Sequence, residues 1–481
     1  MSSGPNEIHV DHVDGVPLLW MEGPPPFTMF LIFRVGQADE RLQIAGITHL
    51  VEHLAFPHDH GDAVGNNGTT DLTSTRFFAW GEPDEAAQFM RRVSQTLSRL
   101  PIDRLDQQRD IIATEEQRWA VTPGGELLIA RYGARAHGLA GFRQLGLRAI
   151  TPSEVTDWAA RYFTAGNAIV CMTGPPPGRL SLELPDGPNR PAPLADPEPA
   201  PFPRWTPKPQ AFVAISVTGG HDSAMGAAAR MVERRLFDRL RTRKALSYAV
   251  HADTKLIDAN TLHRMFAADC LEDAAPQVTD EVIATAYEFA ESGPTKAEMD
   301  DDIDRLERQL RMDERAGIGW MLYAAECYLS GIEVEEFDEY IERRLSLERN
   351  EIRDAWRAAC EGLLLCVPPW VTVNDGRFAI VDWPPVVSGR TFHPPGFGRF
   401  RGGTRAVLSD AGFSLVGDRG DHATITFDRV AALLRGRAGF RTVIAMDGSE
   451  VSVDPAAFAS GEDLVAGLDR AVPRERWITF A

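Results

Sequence analysis

Apolar positions along this chain follow two rhythms, every second residue and every third or fourth, the pattern of strands interleaved with amphipathic helices. The first block reads "FTMFLIFRVG" as a strand, Ala45 to Leu54 as a helix, "STRFFAWG" as a strand and Glu82 to Leu100 as an amphipathic helix. A further helix covers Ile102 to Trp119, another opens at the start signal Thr151-Pro152-Ser153-Glu154, and "NAIVCMTG" closes the block as a strand. The middle block repeats the style. It has a strand in "AFVAISVTG", a helix through "AMGAAARMVERRLFDRLR", strands in "LSYAVHADTKL" and "HRMFAADC", three helices between Gln277 and Cys360, and a buried strand in "LLLCVPPWVTVN". Two similar blocks in series predict an internal duplication.

Two proline-rich breaks divide the pattern. The first, Pro185 to Pro209, contains "PNRPAPLADPEPAPFPRW" and reads as an extended, semi-rigid spacer. The second runs from Trp383-Pro384-Pro385 through Pro394-Pro395 to Gly402-Gly403, and its glycines do not form the GxGxxG of a phosphate loop. The predicted division is a domain over 1–184, a linker over 185–209, a homologous domain over 210–385 and a small α+β module over 400–481. In that module the short strands "GFSLVG", "HATITFD" and "TVIAMDGSEVSVD", the last turning at Asp447-Gly448, precede a final helix, "GEDLVAGLDRAV". It loosely resembles a pleckstrin-homology-type fold, a docking module. The expected class is α+β: two α/β sandwich-type domains, each an antiparallel sheet covered by helices, plus the small module.

Composition narrows the function. The chain has 481 residues, 44% of them hydrophobic, and a net charge of −19. An acidic chain lacks the basic face that nucleic acid requires, and its field favours cationic partners. Met1 to Asp11 has no basic-then-apolar leader, and no run approaches the roughly 20 apolar residues that cross a bilayer. The expectation is a cytoplasmic protein with no membrane or nucleic-acid partner. Cys171, Cys270, Cys327, Cys360 and Cys366 are scattered without CxxC spacing and read as buried free thiols. Asp300-Asp301-Asp302 reads as a solvated helix face.

The informative motif is His49-Leu50-Val51-Glu52-His53. Four residues apart on a helix, His49 and His53 share a face, and Glu52 borders it. Two imidazoles, a third ligand and an open position for water make a hydrolytic zinc site, with an adjacent carboxylate as proton acceptor. Glu52 is the candidate base. HxxEH arises by chance on the order of two times in a hundred chains of this length, so a further ligand matters. Glu115 and Glu116, in "RDIIATEEQRW", are the candidates, and because adjacent helix positions point about 100° apart, only one can serve.

HxxEH followed by a distant helical Glu resembles the inverted-zincin peptidases, the superfamily of pitrilysin, insulin-degrading enzyme and the mitochondrial processing peptidase. The resemblance spans roughly residues 15 to 375 through Gly36-Gln37-Ala38-Asp39-Glu40, "GITHLVEHLAF", Asn67-Gly68-Thr69-Thr70, Thr75-Arg76-Phe77 and "RDIIATEE". It implies zinc ligands His49, His53 and Glu115, the last by its spacing from Arg109, and a substrate-binding Asn67 on the edge strand. "RLFDRLRTRKALSYAV" is similar to the family segment whose Arg and Tyr reach the zinc site, which implies Arg241 and Tyr248 as carbonyl-binding catalytic residues. Gln108 stands where relatives commonly carry a second glutamate. His58, Asp59 and His60 lie in a shortened loop and read as solvated.

The resemblance thus implies a zinc endopeptidase acting on peptides, with the Zn2+ domain of one subunit facing the Arg/Tyr domain of another. A homodimer is the simplest assembly, with a heterodimer as the alternative. The competing readings are a non-catalytic structural subunit and a maturase that trims a leader peptide.

Overall fold

The computed structural model describes residues 7–57, 64–116, 122–208, 212–312, 316–381, 383–395 and 403–480. His58, Asp59 and His60 lie outside the described residues. The first half builds one sheet from β1 (His9–Val13), β2 (Val16–Trp20), β3 (Phe27–Phe33), β4 (Gly65–Thr70), β5 (Thr75–Gly81) and β6 (Ala168–Met172), in the order β1-β2-β6-β3-β5-β4. Its helices are α1 (Ile47–Ala55), α2 (Pro83–Ser98), α3 (Leu105–Glu116), α4 (Pro123–Tyr132) and α5 (Pro152–Tyr162). The period-two pattern of β3 sends Met29, Leu31 and Phe33 into a core with α1, α2, α3 and α5, and Ile32 to the opposite face. The predicted start of α5 is a capping box, in which Thr151 Oγ1 accepts the Glu154 N–H and the Glu154 carboxylate accepts the Thr151 N–H.

The second half repeats this plan with β7 (Arg204–Pro207), β8 (Phe212–Gly219), β9 (Val250–Asp258), β10 (Thr261–Asp269), β11 (Leu364–Val367) and β12 (Ala379–Ile380), in the order β12-β7-β11-β8-β10-β9. The correspondence extends to direction. β6 and β11 each pair parallel with one neighbour, β2 or β7, and antiparallel with the other, β3 or β8. The helices are α6 (Ser223–Phe237), which runs into a π-helical turn over Asp238–Arg243, then α7 (Ala275–Ser292), α8 (Lys296–Met312), α9 (Ala316–Leu329), α10 (Phe337–Ser346) and α11 (Arg349–Cys360). Five helices therefore lie where the periodicity predicts three. Gly293 and Gly331, at φ 68° and 73°, end α7 and α9 inside stretches whose apolar period continues. Asp302 is also not a solvated face residue: it is buried and receives hydrogen bonds from Arg230 and Arg234.

The two halves interlock. α4 leaves the first sheet and packs Leu127, Leu128 and Tyr132 on the back of the second, against Phe212, Ala214, Met265 and Cys366. α9 does the reverse, setting Met321, Ala325 and Leu329 on Leu19, Ile32, Ile169 and Cys171. Ser74 Oγ donates to Glu326 at 2.8 Å, and Arg76 pairs with the same carboxylate. The proline-rich segment is correspondingly not a free spacer. Ala165 N–H donates to Pro185 O, Arg190 N–H to Asn167 Oδ1, and the segment ends as β7 inside the second sheet.

The C-terminal module begins before residue 400, because β13 (Arg390–Phe392) pairs with β14 (Arg405–Leu408), followed by β15 (Gly412–Val416) and β16 (His422–Thr426). A second sheet contains β17 (Val430–Arg435), β18 (Arg441–Ala445) and β19 (Glu450–Val453), with the β18–β19 turn at Asp447-Gly448 as the turn signal predicts. The helix α12 (Gly461–Ala471) is not final. β20 (Trp477–Thr479) follows it and pairs parallel with β17. The module docks on the first half, where Ala432, Ile444 and Ile478 meet Leu42, Ile129 and Phe142, and Gln43 Nε2 donates to Ala431 O at 3.1 Å. Among the described residues no helix is long and apolar enough to cross a membrane.

Candidate metal centre

α1 owes its place to the residues before it. Glu40 accepts the N–H groups of Gly46 and Thr48 at 2.8 and 2.9 Å, anchoring the helix start, while Asp39 pairs with buried Arg34 at 2.6 Å. Gly46 has φ 101°, and a Cβ there would lie 2.7 Å from Gln144 Oε1, so both the turn and the close approach require glycine. Leu50, Val51 and Leu54 face the core, which leaves His49, Glu52 and His53 on the side bordering β4 and α3.

On that side the imidazoles converge: His49 Nε2 and His53 Nε2 are 3.0 Å apart, and each lies 3.6 Å from Glu115 Oε2. One ligand atom from each of these three residues falls within 4.8 Å of the others. Glu116 turns away and accepts the Gln144 N–H at 2.6 Å. Burial, reinforced by His53, pushes His49 down to about 4, so its imidazole is neutral and has a free lone pair.

The outer contacts suit ligation as well. His53 Nδ1 donates to Gln108 Oε1 at 3.2 Å, which directs the Nε2 lone pair into the cluster. Gln108 thus supplies the supporting contact to His53. The Gln144 amide meets His49 Nδ1 at 2.8 Å, and its Oε1, otherwise without a partner, can take the Nδ1 proton once the amide is turned. Two imidazoles and a carboxylate, each imidazole backed by an amide, form a donor set that fits zinc.

Glu52 lies beside this set, 3.9 Å from His49 Nε2, and accepts from Thr70 Oγ1 at 3.1 Å. Burial pushes its carboxyl up to about 8; the Thr70 hydroxyl opposes the shift and Glu115 adds to it. A cation bound next to it would counter that rise. β4 runs close above: a Cβ on Gly68 would lie 2.5 Å from Glu52 Oε1, so only glycine lets this strand pass. Asn67, on the same edge strand, is exposed and accepts the Gly68 N–H at 2.9 Å. These residues line an open groove of about 430 Å3 that also includes Arg104, whose buried NH1 has no partner. Sequence reasoning gives no role to Thr70, although the Asn67-Gly68-Thr69-Thr70 stretch is singled out, and misses Arg104 and Gln144, which belong to no local motif.

Arg241 and Tyr248 do not line this groove. Arg241 sits in the π-helical turn with its guanidinium 4.8 Å from the Tyr248 ring centroid, and Tyr248 is 76% exposed. The structure brings together His49, Glu52, His53, Glu115 and Asn67, and holds the Arg/Tyr pair as a separate exposed unit on the second half.

A duplicated six-stranded, mostly antiparallel sheet under helices is a fold found in solved structures of M16 peptidases. Three solved structures show the likeness. A protease from Helicobacter pylori superposes with a TM-score of 0.64 at 14% identity, over 75% of this chain and 99% of that one. An inactive M16 peptidase domain from Pseudomonas fluorescens gives 0.63 at 16%, over 76% and 99%. Pitrilysin gives 0.55 at 13%, over 76% of this chain and 45% of its own. No protein-family model and no curated protein matches the sequence.

Proposed function

We propose that the chain is a zinc-dependent endopeptidase. The observation that carries this reading is the convergence of His49, His53 and Glu115 within 4.8 Å, with buried Glu52 beside them. A zinc ion held by those three residues would act as Lewis acid and lower the pKa of water. Substrate lies as an added strand along the exposed edge of β4 near Asn67, a mode that reads backbone and tolerates varied sequence. Glu52, fixed by Thr70, accepts a proton from water and returns it to the leaving amine.

Arg241 and Tyr248 act across a subunit boundary, as donors to the carbonyl oxygen of a peptide held by a second copy. Their separation from the groove and the match to 45% of pitrilysin support this arrangement. The simplest assembly is a homodimer. The test mixes Glu52→Gln with Arg241→Ala protein: recovered cleavage supports a shared site, and none refutes it.

A second reading, a non-catalytic subunit, is favoured by the likeness to an inactive domain. Zinc quantitation with peptide cleavage by wild type and Glu52→Gln separates the two. Protein without stoichiometric zinc that cleaves no unfolded peptide would establish the second reading.

A further inference from the structure

The second half contains a cavity of about 590 Å3 that the peptidase reading does not use. It lies between α6, β9, β10 and the helices α8 to α10. α6 packs against α7, α8, α11 and β9 as α1 packs against α2, α3, α5 and β4, so this cavity is the duplicate's counterpart of the groove at His49. No histidine of α6 stands at this wall. The helix presents Gly226, Ala229, Arg230 and Glu233 there instead.

The cavity has two chemically distinct walls. One is aromatic: Trp320 stacks on Tyr340 with centroids 4.4 Å apart, and Tyr323 lies 5.5 Å from Trp320. The other presents guanidinium groups from Arg230, Arg344 and Arg264. Asp302 takes hydrogen bonds from Arg230, Arg234 and Arg344 at 3.0, 2.8 and 3.4 Å, so one carboxylate serves three cations. Arg264 has no such partner. It is only 3% exposed, donates NH2 to Gly220 O at 3.1 Å, has no carboxylate within 4.0 Å among the described residues, and its buried NH1 is unpartnered.

The acids facing the cavity are otherwise engaged. Asp222 caps α6 by accepting the Met225 N–H and acts on Arg264 as a nearby charge without forming an ion pair with it, Asp253 lies beside Lys255, and burial raises the Glu233 carboxyl. The strand pattern sharpens the point: Phe266 and Ala268, on the same face of β10 as Arg264, belong to the apolar core. A guanidinium at this position opposes core packing, because a buried charge without an ion-pair partner destabilises the fold.

We propose that this cavity binds a small carboxylate carried on an aromatic body, the carboxylate pairing with Arg264 and the ring lying against Trp320 and Tyr340. A carboxylate matches the planar fork of arginine, a ring matches the stacked aromatics, and the volume falls in the range of small-molecule sites. The site is independent of whether the groove at His49 cleaves peptides.

The test is calorimetric titration of the full chain with N-acetyl-tryptophan and, separately, its uncharged amide. The acid should bind at least about ten-fold tighter, the strength of one charge-assisted pair. Arg264→Leu should erase that preference, Arg264→Lys should keep part of it, and His49→Ala should leave it intact. Without ligand, Arg264→Leu should melt at or above wild type, and the acid should raise the melting temperature of wild type alone. Absent binding, equal affinity for acid and amide, loss of binding in His49→Ala, or an Arg264→Leu protein that melts well below wild type would each overturn the proposal.

Discussion

Gly68→Ala tests the groove with a single methyl group. Gly68 is not in the left-handed region, so the substitution costs no backbone strain there, and its effect comes from contact alone. The new Cβ would lie 2.5 Å from Glu52 Oε1 and 2.9 Å from the Phe56 ring, where ordinary contact begins at 3.4 Å, so the carboxylate or the strand must give by about 0.9 Å. Thr70, two residues along on the same face of β4, donates to Glu52 Oε2 at 3.1 Å, so Glu52 cannot withdraw from the strand without losing that hydrogen bond. Displacing a proton-transfer group by about 1 Å costs roughly 10²-fold in rate, and overpacking costs about 1–3 kcal/mol of stability. In steady-state cleavage of an internally quenched peptide, kcat should fall about 10²-fold while zinc content stays at wild-type stoichiometry. Gly178→Ala, which meets nothing within 4 Å, is the control. A folded Gly68→Ala protein with activity within about three-fold of wild type would refute the reasoning, because the placement of Glu52 would then not matter to the reaction.

Gln108→Ala removes the acceptor for His53 Nδ1 and should weaken zinc affinity about 10–100-fold, read by competition with a chromophoric chelator; unchanged affinity would mean the amide does not orient the ring. Glu52→Gln should lower cleavage by about 10²–10⁴-fold with zinc retained, whereas loss of zinc would make Glu52 a ligand. Burial pushes the Glu40 carboxyl from 4.5 up to about 7, despite the two N–H groups it accepts. A raised carboxyl favours the protonated folded state, so its stabilisation is full below 4.5 and is lost as pH rises through about 7. Melting temperature relative to Glu40→Gln should therefore drop across that window, and parallel curves would contradict it. Truncation before β13 should expose Leu42, Ile129 and Phe142, giving a chain that melts lower or aggregates on heating; an unchanged melting curve would show the docking to be incidental.

Most long elements were readable from the sequence, because their apolar period and end signals agree, as at Thr151 to Glu154 and at Asp447-Gly448. α4 and α9 resist such reading. Each bridges two sheets, so α9 is apolar over most of its surface, and local amphipathicity gives no hint that it belongs to the opposite half. β7 was hidden by the prolines around it, although Trp205 and buried Arg204 mark it as packed rather than free. The His49, Glu52 and His53 face was legible because helix geometry alone brings those residues together. Gln144 was not: it reaches His49 from a distant loop, and its contact depends on Gly46 leaving room.

The reciprocal seating of α4 and α9 bears on how anything could enter or leave the groove. Swinging one half away from the other would bare the undersides of both sheets at once, wetting Leu127, Leu128, Met321 and Leu329 together with the strands beneath them. A gate of that kind would cost apolar burial on two faces, whereas a gate between copies breaks neither core. On the proposed dimeric peptidase reading, traffic of peptides would be set by how readily copies part, so turnover should respond to protein concentration and to crosslinks between subunits, while a crosslink between the two halves of one chain should leave it unchanged.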